Sequence, residues 1–267
     1  MKLPSERGPA SAALIDALRR PPHDLPDAPA TRIGDDEDLQ LVLYVCYELH
    51  YRGFDEVDDR WEWQPSVLRL RAAAEERFEA ALRSRVAAHP PVPADAVPRA
   101  LAALVAADDG PPLAAFLQRH ATLEQFREFV VHRSVYHLKE ADPHTWGIPR
   151  LGGRAKAALV EIQADEYGGG RPDRMHAELF RTLMAGLGLD PTYGAHVDAV
   201  PAVTLATGNV ISMFGLNRRL RGALLGHLAA FEMTSSLPNR RYGNGLRRLG
   251  AAPALGWLVR RHRADPS

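Results

Sequence analysis

Apolar residues recur every three to four positions over most of this chain, and nowhere does it alternate apolar and polar residues with the period of two expected of a half-buried strand. That periodicity leaves an all-α fold as the expectation. Asp35 or Asp36 can cap a helix through Leu39, Val42, Leu43, Cys46 and Tyr47, with Gly53 near its end. A second helix fits 65–88, where Val67, Leu68, Leu70, Phe78 and Leu82 supply the apolar positions. Further helices are expected at about 98–106, 111–119, 123–140, 154–166, 172–187, 192–197, 202–214, 218–234 and 253–265. The proline-rich stretch HPPVPADAVP reads as an inter-helix loop. Residues 1–35 read as an irregular N-terminal arm with a weak helical pattern at 12–19, and 36–267 as one helical domain.

Composition excludes several partners. Lys+Arg and Asp+Glu balance at 33 each, which gives no reason to expect nucleic acid or an anionic membrane surface. The only cysteine, Cys46, rules out an internal disulfide and a cysteine-based zinc site, and its apolar run LQLVLYVCYEL marks it as a small buried hydrophobe. No apolar run has the length of a signal peptide core or of a membrane span, so a cytoplasmic location is the expectation.

The informative residues are carboxylates on faces that should be buried. Phe129, Arg133, Tyr136 and Glu140 follow i, i+4, i+7, i+11 and share one helix face. Leu225, Leu228, Ala229 and Glu232 do the same at i, i+3, i+4, i+7, as do Leu159, Ile162 and Glu166 at i, i+3, i+7. Each glutamate could be matched by a buried arginine. Three of them on three helices favour a metal ion instead, because helix bundles hold di-iron sites by projecting carboxylates and histidines inward.

Glu166 and His176 are ten residues apart and would diverge by roughly 80° on an unbroken helix. The intervening Tyr167-Gly168-Gly169-Gly170-Arg171-Pro172 cannot be a regular helix. If about three residues bulge out, the two side chains meet on one face. A plain loop with a surface His176 is the alternative at equal weight.

These residues carry a resemblance. The stretches LKEADPHTWGIPRL and LVEIQADEYGGGRPDRMHAELF resemble the haem-oxygenase-like diiron oxidases, a family of iron-containing redox enzymes, and similarity extends from DLQLVLYVCYELHYRGFDEVDDRWEW to the C-terminus. The resemblance implies a helical haem-oxygenase-like bundle holding two irons, with O₂ as co-substrate. Its ligands carry over to Glu140, Glu166, His176 and Glu232. The family's last helix bears a His-x-x-x-Asp-x-x-His pattern. Here Leu255-Gly256-Trp257 matches its start and Asp265 its middle, but Arg261 stands at the first histidine and the sequence stops at Ser267, before the second. His262 is one residue off, about 100° around a helix. The expectation is therefore a last ligand helix that is incomplete, with Asp265 as its surviving ligand.

The implied function is an O₂-dependent non-haem diiron oxidase or oxygenase acting on a small amine, amino acid or fatty acid. The alternative is a catalytically impaired homologue serving as a helical binding or dimerisation partner, with a homodimer as one form. A thiaminase-type hydrolase would need a nucleophilic cysteine, which the apolar setting of Cys46 argues against. Glu48 and His50 read as local hydrogen-bonding groups, His144 as a turn cap, Trp61 and Trp63 as packing residues, and Arg218, Arg219, Arg221, Arg240 and Arg241 as solvated helix ends.

Overall fold

The computed structural model describes residues 1–25, 33–87 and 89–251, and among them every regular element is a helix. In chain order the α-helices longer than a single turn are α1 (Pro9–Leu18), α2 (Asp36–Glu48), α3 (Pro65–Arg85), α4 (Val97–Ala106), α5 (Leu113–Arg119), α6 (Leu123–His137), α7 (Gly153–Glu166), α8 (His176–Gly186), α9 (Ala202–Leu216) and α10 (Arg221–Arg248). They fall into two compact units, one from 1–87 with 193–213 and one from 89–192 with 214–251. No helix of the described residues is long and apolar enough to cross a membrane.

In the first unit α2 is the core. Leu39 and the run Leu41–Tyr47 are buried, and a helix apolar on every side has to be enclosed. Asp35 starts it by accepting from the backbone of Glu37 and Asp38. Helices α1 and α3 pack against it. The segment 9–18, expected within an irregular arm, is thus a helix whose Ala10, Leu14, Ile15, Ala17 and Leu18 are buried. What anchors it is distant in sequence. The buried Asp38 carboxylate accepts from the backbone N–H of Ala10 at 3.1 Å, Ser11 at 2.8 Å and Gly34 at 2.8 Å. Burial pushes its pKa up, but the bonds from Ser11, Gly34 and Ala10 outweigh that and hold it below the usual carboxylate value.

Glu48, fully buried, accepts from the Tyr193 hydroxyl with both oxygens, at 2.9 and 2.8 Å. The expected helix at 192–197 is reduced to one 3₁₀ turn at Val197–Ala199, because Gly194 stands at φ 78° and cannot continue a right-handed helix. Cys46 is buried and its thiol is pushed up to about 12 by burial. His50 lies between Glu62 at 3.2 Å and Arg71 at 2.6 Å, a local role as expected. Trp61 is enclosed, whereas Trp63 is 65% exposed.

In the second unit the long α10 packs along α5. Gly245 sets that approach, since a Cβ there would lie 2.5 Å from the Leu117 carbonyl oxygen. Expected to end near Thr234, α10 instead runs through Pro238 to Arg248, where Asn239, Gly243, Gly245 and Leu246 are buried. The packed C-terminal half outweighs the backbone bond that Pro238 cannot donate. Helix α6 opens with a reciprocal cap, Thr122 Oγ1 accepting from Gln125 N–H and Gln125 Oε1 accepting from Thr122 N–H. It ends at His137 rather than running to Glu140, so Glu140 sits in the turn that follows.

Candidate metal centre

That turn is held from α7. Gln163 donates from Nε2 to the Ala141 carbonyl at 2.8 Å and to Thr145 Oγ1 at 2.6 Å. Tyr167, just past the end of α7, donates to Asp142 at 2.8 Å and lies 2.9 Å from Thr145 Oγ1. Burial pushes the Tyr167 phenol well above its usual value, so it stays protonated as a donor. Leu159, Gln163 and Glu166 form the buried edge of α7, with Ile162 only half-buried.

The glycine break then folds back on itself. Gly168–Gly170 and Pro172–Arg174 form two 3₁₀ turns, and Gly168, Gly169 and Gly170 all take positive φ. At Gly168 the φ of 63° is joined by a close approach, because a Cβ would lie 2.7 Å from the Met175 nitrogen. The chain re-enters a helix at His176, whose Nδ1 lies 2.6 Å from Glu166 Oε2.

One ligand atom each of Glu140, Glu166 and His176 lies within 4.8 Å of the others, and all three side chains are buried. Two atoms bound to one first-row ion at roughly 2.0–2.2 Å are at most about 4.4 Å apart, so the group is near metal-binding geometry without rearrangement. Two carboxylates brought together out of water repel unless a cation or a proton is shared between them. The donor set of two carboxylates and an imidazole suits iron, and the residues present fit one such ion.

Glu232, the fourth expected ligand, is not one of these three. It is exposed on α10, one turn beyond the buried Leu228. Among the described residues α10 is buried at Leu224 and Leu228 and again from Asn239 to Leu246, and the stretch between is not. Periodicity identified the right line along the helix but not where that line is covered. Asp265, with Arg261 and His262, lies outside the described residues.

Sequence reasoning passed over His137. Its Nδ1 is 3.1 Å from Glu140 Oε2, its ring stacks on Phe180 at 4.7 Å, and its Nε2 accepts from Arg133 Nε at 3.0 Å. The spacing His137-x-x-Glu140 could have found it, being one helical turn. His144, read as a turn cap, is buried in the single turn Asp142–Thr145, and its ring bonds the backbone of Glu140 one turn before. Its ring lies 5.7 Å from that of His227 on α10. Burial pushes both imidazoles down to about 4, with the Glu140 carboxylate opposing the shift at His144 and the neighbouring His144 adding to it at His227. Both are neutral near pH 7.

Residues 127–262, half of the chain, match the family described as iron-containing redox enzymes. A search among curated proteins finds no match. The matched stretch contains Glu140, Glu166, His176 and Glu232.

Proposed function

Because the chain belongs to the iron-containing redox enzyme family, we propose that it is an O₂-dependent non-haem iron oxidase whose metal is held by Glu140, Glu166 and His176. The observation that carries this is the convergence of those three buried side chains across the glycine break. Iron bound there would supply the redox chemistry with O₂ that no protein side chain can perform.

The protein's own contribution is placement and enclosure. Gln163 and Tyr167 fix the Glu140 turn against α7, so both carboxylates meet the same point. His137 bears its ring proton on Nδ1, the nitrogen facing Glu140, because Nε2 accepts from Arg133. Tyr136, whose hydroxyl is 3.5 Å from the other Glu140 oxygen, packs edge-on to Phe231 and walls the site from water. Glu232 and Asp265 would furnish a second iron position, and a small organic molecule would be the substrate.

The experiment is anaerobic loading with Fe(II), removal of excess metal, and measurement of O₂ uptake. The proposal expects metal-dependent uptake that Glu166→Ala abolishes. Uptake no faster than that of free Fe(II) in buffer would overturn it.

A further inference from the structure

The iron reading leaves two histidines of the second unit unused. His144 follows Glu140 by one turn and is 2% exposed, and His227 is half-buried on α10. Their ring centres are 5.7 Å apart. Phe231 lies 4.1 Å from the His227 ring and Phe214 lies 6.4 Å from it, so aromatic side chains border the pair.

The backbone prepares His144 as a ligand. Its Nε2 is buried and has no hydrogen-bond partner among the described residues, so the ring's bond to the Glu140 backbone is made by Nδ1. Donation to a carbonyl fixes the proton on Nδ1 and leaves Nε2 with a bare lone pair. Metal-binding histidines are arranged in this way, giving one ring N–H to a carbonyl or carboxylate and coordinating through the other nitrogen. His227 Nδ1 is also buried without a partner among the described residues. An orphaned buried N–H is rarer than an orphaned acceptor, which puts the His227 proton on Nε2 and leaves a second lone pair. Both rings are neutral near pH 7, the form that a metal requires.

An ion held between the rings satisfies both lone pairs. Metal–imidazole bonds are roughly 2.0 Å, so two ring centres on one ion stand about 5.1 Å apart at a tetrahedral angle and about 6.3 Å apart in a straight line. The observed 5.7 Å falls within that span. The donor set then selects the ion. Among the described residues the group of three metal-binding side chains is Glu140, Glu166 and His176, and no third acid or imidazole joins His144 and His227. A divalent ion calls for three or four ligands and carries two charges into aromatic surroundings, whereas monovalent copper is satisfied by two neutral nitrogens and carries one. We infer that His144 Nε2 and His227 Nδ1 bind a monovalent copper ion, as a two-nitrogen site separate from the three iron ligands.

The protein is stripped of metal with chelator, kept free of oxygen and titrated with Cu(I) in competition with bicinchoninate. A one-to-one complex should form, and absorption at the copper edge should show two imidazoles at roughly 2.0 Å. His144→Phe and His227→Phe should each weaken binding at least about tenfold. The double variant Glu166→Ala, His176→Ala should bind Cu(I) as the wild type does, which separates this site from the iron centre. Circular dichroism checks that the variants fold, and where one does not, the wild-type copper-edge spectrum decides, fewer than two imidazoles overturning the inference. Affinity retained in a folded His144→Phe or His227→Phe, affinity lost in the double variant, or no one-to-one complex in the wild type overturns it as well.

Discussion

Both units of this protein bury acids, and they treat them in opposite ways. In the first, Asp38 receives three backbone N–H groups and Glu48 receives the Tyr193 hydroxyl on both oxygens. Each charge there is matched by donors that belong to the fold. In the second, Glu140 and Glu166 converge with His176 within 4.8 Å, so that two carboxylates and an imidazole share one small buried space. The first arrangement stabilises the polypeptide by itself, whereas the second makes sense with a cation. Burial alone does not distinguish a structural acid from a ligand; the kind of neighbour does.

The strongest way to break this comparison is metal addition. Under anaerobic conditions Fe(II) at about a hundred times its Kd should raise unfolding free energy by about 2.7 kcal/mol in the wild type. Glu166→Ala and His176→Ala should lose this gain, while Glu48→Gln should keep it despite starting from a less stable protein. Thermal unfolding with and without iron is the check, and a gain retained by His176→Ala would place the metal elsewhere.

Acid titration sharpens the same contrast. His144 and His227 have folded pKa values pushed down to about 4 from 6.5, so below 6.5 the unfolded chain binds protons that the folded one does not. Their contribution is fully present above 6.5 and is lost as pH falls toward 4, by on the order of 2 kcal/mol for the well-buried His144. Urea unfolding of the metal-free protein at pH 7, 6, 5 and 4 should show the decline, and His144→Gln should flatten it.

The structural acids give smaller effects that do not involve metal. Asp38→Ala removes the anchor of α1 and should cost about 1–2 kcal/mol at pH 7. Because the folded pKa of Asp38 is depressed, its contribution is present above the unfolded value of 3.8 and is lost as pH falls through the folded one. Tyr193→Phe leaves Glu48 short of a donor and should cost about 1 kcal/mol in denaturant melts. Iron affinity should be unchanged in both variants, and an altered affinity would undo the separation of roles.

What the sequence disclosed follows from the range of the physics involved. Helical periodicity and the glycine break are local, so the all-helical fold and the meeting of Glu166 with His176 could be anticipated from spacing. Glu140 was found by its face, although the helix it was assigned to stops at His137. Helix α1 showed only as a weak pattern at 12–19 because its anchor, Asp38, is 27 residues from Ser11 and no local pattern records a cap at that distance. Glu232 was expected inward because it continues an apolar stripe, but whether a stripe is covered depends on neighbours that arrive from elsewhere in the chain. Arg133 shared its face with Glu140 on spacing alone, yet only the structure shows it beside His137 and among aromatic rings.

The central claim is that Glu140, Glu166 and His176 together hold iron. Anaerobic Fe(II) titration followed by X-ray absorption at the iron edge tests it most directly. The account predicts at least one iron per chain, bound through oxygen and nitrogen at roughly 2.0–2.2 Å, and loss of that iron in the double variant Glu166→Ala, His176→Ala. Tight iron binding that persists in the double variant, or none in the wild type, would contradict it.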